Sequence, residues 1–232
     1  MLRIQDLKKS FQNNVAVNIP ALSIDNGEIV GFVGNNGAGK TTLLRLILDL
    51  LKPSNGNILI DGADVSISSI WKKTTGSYID TGFLIEYLTP EEFFALIASV
   101  YKISKETMEL RLHNFERFMN NEILGQRKYI RSFSAGNKQK VGILASMLMN
   151  PELLILDEPF NFLDPSSQIV IKRLLKTLNA ECGTTIIISS HNLEHIIDVS
   201  SRILLLERGT IVKDIPNTNL EAHSELVNYF YR

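Results

Sequence analysis

Short apolar runs separated by polar turns open the chain: Leu2 to Leu7, Val15 to Ile19, Ile29 to Val33 and Ile58 to Ile60, with Asn13-Asn14, Asn26-Gly27 and Asn55-Gly56 between them. Asn and Gly tolerate the left-handed backbone of tight turns, so this opening segment predicts an antiparallel β lobe leaning on a larger core. Ile29-Val30-Gly31-Phe32-Val33 contains no polar side chain, as expected of a strand covered on both faces. From Thr42 onward the pattern changes. Leu43, Leu44, Leu46, Ile47, Leu48, Leu50 and Leu51 leave only Arg45 and Asp49 polar, and a helix apolar on nearly every side is buried. It is predicted to end near Lys52, ahead of Pro53 and Ser54-Asn55-Gly56.

Farther along, Thr89-Pro90-Glu91-Glu92 combines an N-cap, a first-turn proline and a capping-box glutamate. Helical patterns follow through Tyr101, from Lys105 to about Met119, and from Val141 to Met149. Leu153 to Leu156 is a continuous apolar strand. Asp164-Pro165 starts another helix, in which Ile169, Leu174, Leu175 and Leu178 are spaced for one buried face. Strands at Thr185 to Ser189 and Arg202 to Leu206 follow, Glu207-Arg208-Gly209 turns into Thr210-Ile211-Val212, and Asn219 to Tyr231 predicts a short amphipathic helix.

Composition narrows the class. The 232 residues suffice for one sizeable domain, and 24 basic against 25 acidic residues give no polybasic footprint, so nucleic acid is not expected as a partner. The single cysteine, Cys182, cannot form an internal disulfide, which suits a reducing compartment. The N-terminal residues lack a signal-peptide core, and no apolar run reaches the roughly 18 residues that span a bilayer. A cytoplasmic location is expected.

Against this background, Gly34-Asn35-Asn36-Gly37-Ala38-Gly39-Lys40-Thr41 is the glycine-rich G-x-x-x-x-G-K-[ST] pattern, placed between the apolar strand and the buried helix. Glycines let the backbone approach an anion, the helix N-terminus offers free N–H groups, Lys40 adds a mobile charge and Thr41 a hydroxyl for Mg²⁺. Nucleotide binding is the expectation. Asp157 and Glu158 end the Leu153 to Leu156 strand, where ligands bind in parallel sheets; Asp157 can hold Mg²⁺ and Glu158 can polarise water. Ser134-Ala135-Gly136 falls at the start of the next apolar helix, an anion-binding arrangement that taken alone is also an ordinary N-cap.

The ordered series of motifs resembles the ATP-binding subunits of ABC transporters over nearly the whole chain. Phe133-Ser134-Ala135-Gly136-Asn137 is similar to the family's LSGGQ signature, Phe160-Asn161-Phe162-Leu163-Asp164 to its D-loop, and His191 to its switch histidine. Phe11 stands in the place of the aromatic that stacks on adenine. The resemblance implies an α/β fold: a P-loop NTPase core of mostly parallel sheet with flanking helices, the N-terminal antiparallel β lobe, and an α-helical lobe at about residues 86–145, inserted into a core of about 1–85 and 146–232. It implies one such domain over 1–232. Lys40, Glu158 and His191 would act in catalysis. Phe11, the loop from Gly34 to Thr42 (Asn35, Asn36, Gly37, Ala38, Gly39, Lys40, Thr41), Ser134, Ala135, Gly136 and Asp164 would hold ATP, and Thr41, Asp157 and Asp80 would hold Mg²⁺. Two subunits, as a homodimer or pseudo-dimer, would complete each site head to tail and drive an integral membrane permease from the cytoplasmic face of the cell membrane. A soluble ATPase serving assembly or regulation without a permease is the alternative.

The chain also departs from the family pattern. Asp80 falls where a glutamine is usual, either adding charge beside Asp157 and Glu158 or marking a surface loop out of register. Ala135 and Asn137 replace a glycine and a glutamine, and Phe162 stands where the D-loop usually has a small residue. Phe83, Leu84, Ile85 and Tyr87 form an apolar cluster in a loop, either packed inward or exposed for the permease. His113, His195 and His223 are expected to be solvated or incidental.

Overall fold

The computed structural model of the protein describes residues 1–217, so the predicted helix Asn219 to Tyr231 and His223 lie outside the described residues. In chain order the elements are β1 (Leu2–Phe11), β2 (Asn14–Ile24), β3 (Ile29–Val33), α1 (Lys40–Ile47), β4 (Asn55–Ile60), β5 (Ala63–Asp64) and β6 (Thr75–Tyr78). They continue with α2 (Pro90–Val100), α3 (Lys105–His113), α4 (Glu116–Met119), α5 (Ala135–Met147), β7 (Leu153–Asp157), α6 (Pro165–Cys182), β8 (Thr185–Ser190), α7 (Leu193–Val199), β9 (Arg202–Glu207) and β10 (Thr210–Pro216).

Two sheets result. An antiparallel sheet runs β2-β1-β4-β5, and a second runs β10-β9-β3-β8-β7-β6, parallel except for β10 at its edge. The expected antiparallel lobe is present, but Ile29 to Val33 leaves it for the parallel sheet. The physical reason is coverage: all five residues of β3 are buried, and only a strand between two layers needs no polar face.

Alternation along the parallel strands divides the interior into two cores. Val30, Phe32, Leu153, Ile155, Ile187, Leu204 and Leu206 face the antiparallel sheet, with α1 packed between the two layers. Val33, Leu154, Leu156, Ile186, Ile188, Ile203 and Leu205 face the other way, into a core shared with α5, α6 and α7. This sandwiched position explains why α1 is apolar on so many sides.

Several helices differ in detail from expectation. The first helix stops at Ile47, where the Asp49 and Leu50 N–H groups return to the Leu46 and Arg45 carbonyls at 3.1 and 2.9 Å, a Schellman closure with Asp49 left-handed. The stretch Lys105 to Met119 breaks into α3 and α4 at Asn114-Phe115, where the Phe115 N–H turns back to the Leu112 carbonyl at 3.0 Å. Ser134 caps α5 as expected, and the helix runs Ala135–Met147 where the apolar pattern marks Val141 to Met149. On α6 the buried row is Ser167, Ile171 and Leu175 with Leu174 and Leu178 alongside, while Ile169 faces solvent. The capping box at Thr89 and Glu92 forms as expected.

Helix α5 crosses β6 at Gly142, where an added Cβ would lie 2.1 Å from the Tyr78 ring. Tyr78 is buried there, its hydroxyl 3.3 Å from Gln139 Oε1, and burial keeps the phenol protonated far above its ordinary range. Gly142→Val is expected to push α5 off the sheet at a cost of about 2–3 kcal/mol, measured as a lowered thermal midpoint by circular dichroism.

Candidate active site

The loop from Gly34 to Gly39 leaves β3 at its C-terminal end and closes onto α1. Gly39 is left-handed at φ 106°, and an added Cβ would lie 2.6 Å from the Ala16 carbonyl, so only glycine fits between this loop and β2. Gly37, also left-handed at φ 82°, turns its open side to free space. The result is a groove of about 460 Å³ lined by Asn14, Val15 and Ala16, by Asn36 to Thr42, and by Glu158 and Arg208.

Within it, Lys40 Nζ donates to the Gly34 and Asn35 carbonyls at 2.7 and 3.3 Å and lies 3.5 Å from Glu158 Oε1. Thr41 Oγ1 donates to Asp157 Oδ2 at 2.6 Å, and the other Asp157 oxygen accepts from the Ser189 hydroxyl. Burial pushes the Asp157 carboxyl up from its ordinary range and the Glu158 charge adds to this, while the Ser189 and Thr41 hydrogen bonds and Lys40 pull it down. A hydroxyl and a carboxylate in contact are an oxygen donor pair suited to a hard divalent cation.

Glu158 sits one residue beyond the strand in a left-handed backbone at φ 47°, a strained setting for a non-glycine residue. It is held there from several directions. Its N–H donates to the Ser189 carbonyl and hydroxyl at 3.1 and 3.0 Å, and its carbonyl accepts from Gln139 Nε2 at 2.9 Å. The carboxylate reaches Lys40 on one side and His191 Nδ1, at 2.9 Å, on the other.

Other expected site residues lie elsewhere. Ser134 accepts from the Asn137 N–H at 3.2 Å as the α5 cap, and Gly136 packs on the Phe162 carbonyl, where an added Cβ would lie at 2.5 Å. Neither they nor Ala135 line the groove. Asp164 caps α6, with the Ser166 and Ser167 hydroxyls holding its carboxyl well below the usual range. Phe11 is an exposed aromatic at the end of β1, paired across the strand with the groove residue Asn14 but not itself lining the groove.

Asp80 is not brought to the Thr41–Asp157 pair. One oxygen accepts from Arg45 Nη2 at 3.1 Å and the other from the Gly82 N–H at 2.7 Å, so its charge is met by the α1 arginine and a turn. Among the described residues no group of three acidic, histidine or cysteine side chains assembles for a metal.

The loop cluster resolves in favour of exposure. Phe83 and Tyr87 are 56% and 71% exposed and Ile85 is exposed beside them, while Leu84 alone turns inward. Phe162 is exposed and left-handed at φ 60°. His113 pairs with Glu116 at the surface, but His195 is only partly solvated: its ring lies on Phe160 and its Nδ1 is buried. Ser189, Gln139 and Arg208 were not singled out from the sequence. Ser189 reads there only as one more residue of an apolar strand, and its offset of two from His191 is the one available signal.

Comparison with known proteins shows the family and the fold. The sequence profile described as ABC transporter matches residues 17–161. The chain is 33% identical over 237 residues to the bacitracin transport ATP-binding protein BcrA of Enterococcus faecalis, covering 99% of this chain and 74% of that one. It is 32% identical over 235 residues to the sulfate/thiosulfate import ATP-binding protein CysA of Pectobacterium atrosepticum, with 99% and 71% covered. Among solved structures it resembles an ATP-binding subunit of an ABC transporter at TM-score 0.86 and 28% identity, over 100% and 98% of the two chains. It also resembles a dimeric ATP-binding cassette, MJ0796, in a post-hydrolysis state with ADP and Pi, at TM-score 0.82 and 25% identity, over 94% and 100%.

The raised Asp157 carboxyl has a testable sign. A carboxyl that binds its proton more tightly when folded removes stability as pH rises from its ordinary value through the raised one, and the loss is complete above that. Asp157→Asn is therefore expected to melt no lower than the wild type near pH 7.5, with the difference shrinking as the pH is lowered towards the ordinary carboxylate range. Thermal melts across that range check it.

Proposed function

The chain belongs to the ABC transporter family of ATP-binding proteins, and we propose that it hydrolyses ATP to drive a separate membrane permease. The observation that carries this reading is that Lys40, Thr41 and Glu158 line one glycine-rich groove, with Asp157 bonded to Thr41 and His191 to Glu158. The loop N–H groups and the N-terminus of α1 receive the phosphates. Lys40 exchanges its contacts with the Gly34 and Asn35 carbonyls for the phosphate oxygens, a move that a long, flexible ammonium makes easily. Thr41 and Asp157 would hold Mg²⁺, which supplies charge neutralisation at the β- and γ-phosphates.

Glu158 orients the attacking water and accepts its proton, and His191 fixes the carboxylate from the far side. Carboxylate, ammonium and imidazole already stand in contact, so little rearrangement precedes the reaction.

Ser134, Ala135 and Gly136 reach ATP only from a second subunit, since in their own chain they lie outside the groove; a homodimer or pseudo-dimer closed by ATP follows, with Asp164 at the start of α6 beside the seam. The dimeric state of the MJ0796 cassette supports that arrangement. Phe11 lies near enough to Asn14 to flank the base. Phe83, Ile85 and Tyr87 form the face offered to the permease: three large apolar side chains held in water are costly unless a partner covers them. No helix among the described residues is long and apolar enough to cross a membrane. As the ATP-binding partner of a permease, the subunit would work from the cytoplasmic side of the membrane. The transport names of its relatives favour this over a soluble assembly factor.

Glu158→Gln is expected to slow ATP turnover by about 10²–10⁴-fold and to trap an ATP-bound dimer on size-exclusion chromatography; a monomer at saturating ATP would overturn the dimer arrangement. Lys40→Ala is expected to weaken ATP binding by roughly tenfold to a hundredfold, through loss of a charged hydrogen bond, as measured by titration calorimetry.

A further inference from the structure

Away from the groove lining, His195 is a half-buried titratable group that the reaction does not use. It lies on α7, whose cap Asn192 directly follows His191. Its ring rests on Phe160, with centroids 4.7 Å apart and planes tilted by 43°. Phe160 is itself buried, two residues beyond Glu158. From α6, Lys172 places its ammonium 5.7 Å from the Phe160 ring and pairs with Asp198 of α7 at 2.7 Å. The loop carrying Glu158, α6 and α7 thus meet at one aromatic ring.

His195 Nδ1 is buried and finds no hydrogen-bond partner among the described residues. In the neutral ring this nitrogen can be a bare lone pair. In the protonated ring it must be an N–H with nothing to receive it, which costs more.

We propose that His195 is a positioning residue: its neutral ring, packed on Phe160, holds α7 against the loop that carries Glu158 and so keeps His191 on the Glu158 carboxylate. Protonation of His195 loosens this packing and slows ATP turnover. The groups facing the ring decide the direction. Burial is the largest influence and Lys172 on α6 the next, both disfavouring the charge; Asp198 and Glu194 on α7 favour it, and His191 opposes it weakly. The balance holds His195 below the ordinary histidine range. The contact is therefore intact at neutral pH, and stability is lost as pH falls below the ordinary histidine value of 6.5.

The inference rests on the ATPase reading for its kinetic arm only. The test measures kcat and KM for MgATP from pH 5.5 to 8.5 in wild type, His195→Phe and His195→Ala, with the His191 imidazole followed by ¹H–¹³C NMR. His195→Ala is expected to lower kcat about tenfold with KM changed less than about twofold, and to displace the His191 resonance. His195→Phe keeps an aromatic ring that cannot titrate: it is expected to retain the neutral-pH kcat and the His191 resonance, and to extend activity to lower pH. An unchanged acid limb in His195→Phe, or a wild-type kcat and an unmoved His191 resonance in His195→Ala, overturns the proposal. Should His195→Ala fail to fold, the acid limb of His195→Phe decides. A wild type that binds but does not hydrolyse ATP overturns the function proposed above, and the His191 resonance then decides this inference by itself.

Discussion

The buried carboxylate of Asp157 is the contact on which the rest of the site depends. It ends β7, accepts from Thr41 at the start of α1, and accepts from Ser189 in β8. Three separate segments are thereby joined at one charged group, and the chemistry follows by covalent adjacency. Lys40 precedes Thr41, Glu158 follows Asp157, and His191 lies two residues after Ser189. Once the two hydroxyls find the carboxylate, ammonium, second carboxylate and imidazole are within reach of one another.

That arrangement is held at a cost. Charge burial raises the Asp157 carboxyl, and Glu158 occupies a left-handed backbone that its side chain disfavours by on the order of 1–3 kcal/mol. Surrounding structure compensates. Ser189 supplies both acceptors for the Glu158 N–H, Gln139 ties its carbonyl to α5, and the sheet beneath is buried on both faces. A site under tension on a rigid support suits a reaction that needs a preset geometry.

The same logic links the site to the helical segments. Arg45, on the helix that follows the glycine-rich loop, holds Asp80, and Asp80 caps the turn leading to Phe83. Beyond it, Glu86 pairs with Lys138 on α5 at 2.5 Å, and the backbone at Glu86 and Leu88 bonds to Arg131 and Ile130. The segment 80–88 is thus fastened to α1 at one end and to the start of α5 at the other, with Phe83, Ile85 and Tyr87 facing out.

Local pattern was enough to read much of this in the chain. The G-x-x-x-x-G-K-[ST] loop, the Asp157-Glu158 strand end, the Thr89 capping box and the Asp164-Pro165 helix start are signals whose physics is complete within a few residues. What tertiary structure alone decided involves partners distant in sequence. Ile29 to Val33 joined the parallel sheet because two layers were available to cover it; Asp80 turned to Arg45 instead of the Thr41–Asp157 pair; Ser189 acquired its role only through contact with Asp157; and His195 became a packed ring because Phe160 stands opposite. A residue's conformational preference is written in its own chemistry and that of its neighbours, but a hydrogen bond or a ring contact exists only where folding brings its second member.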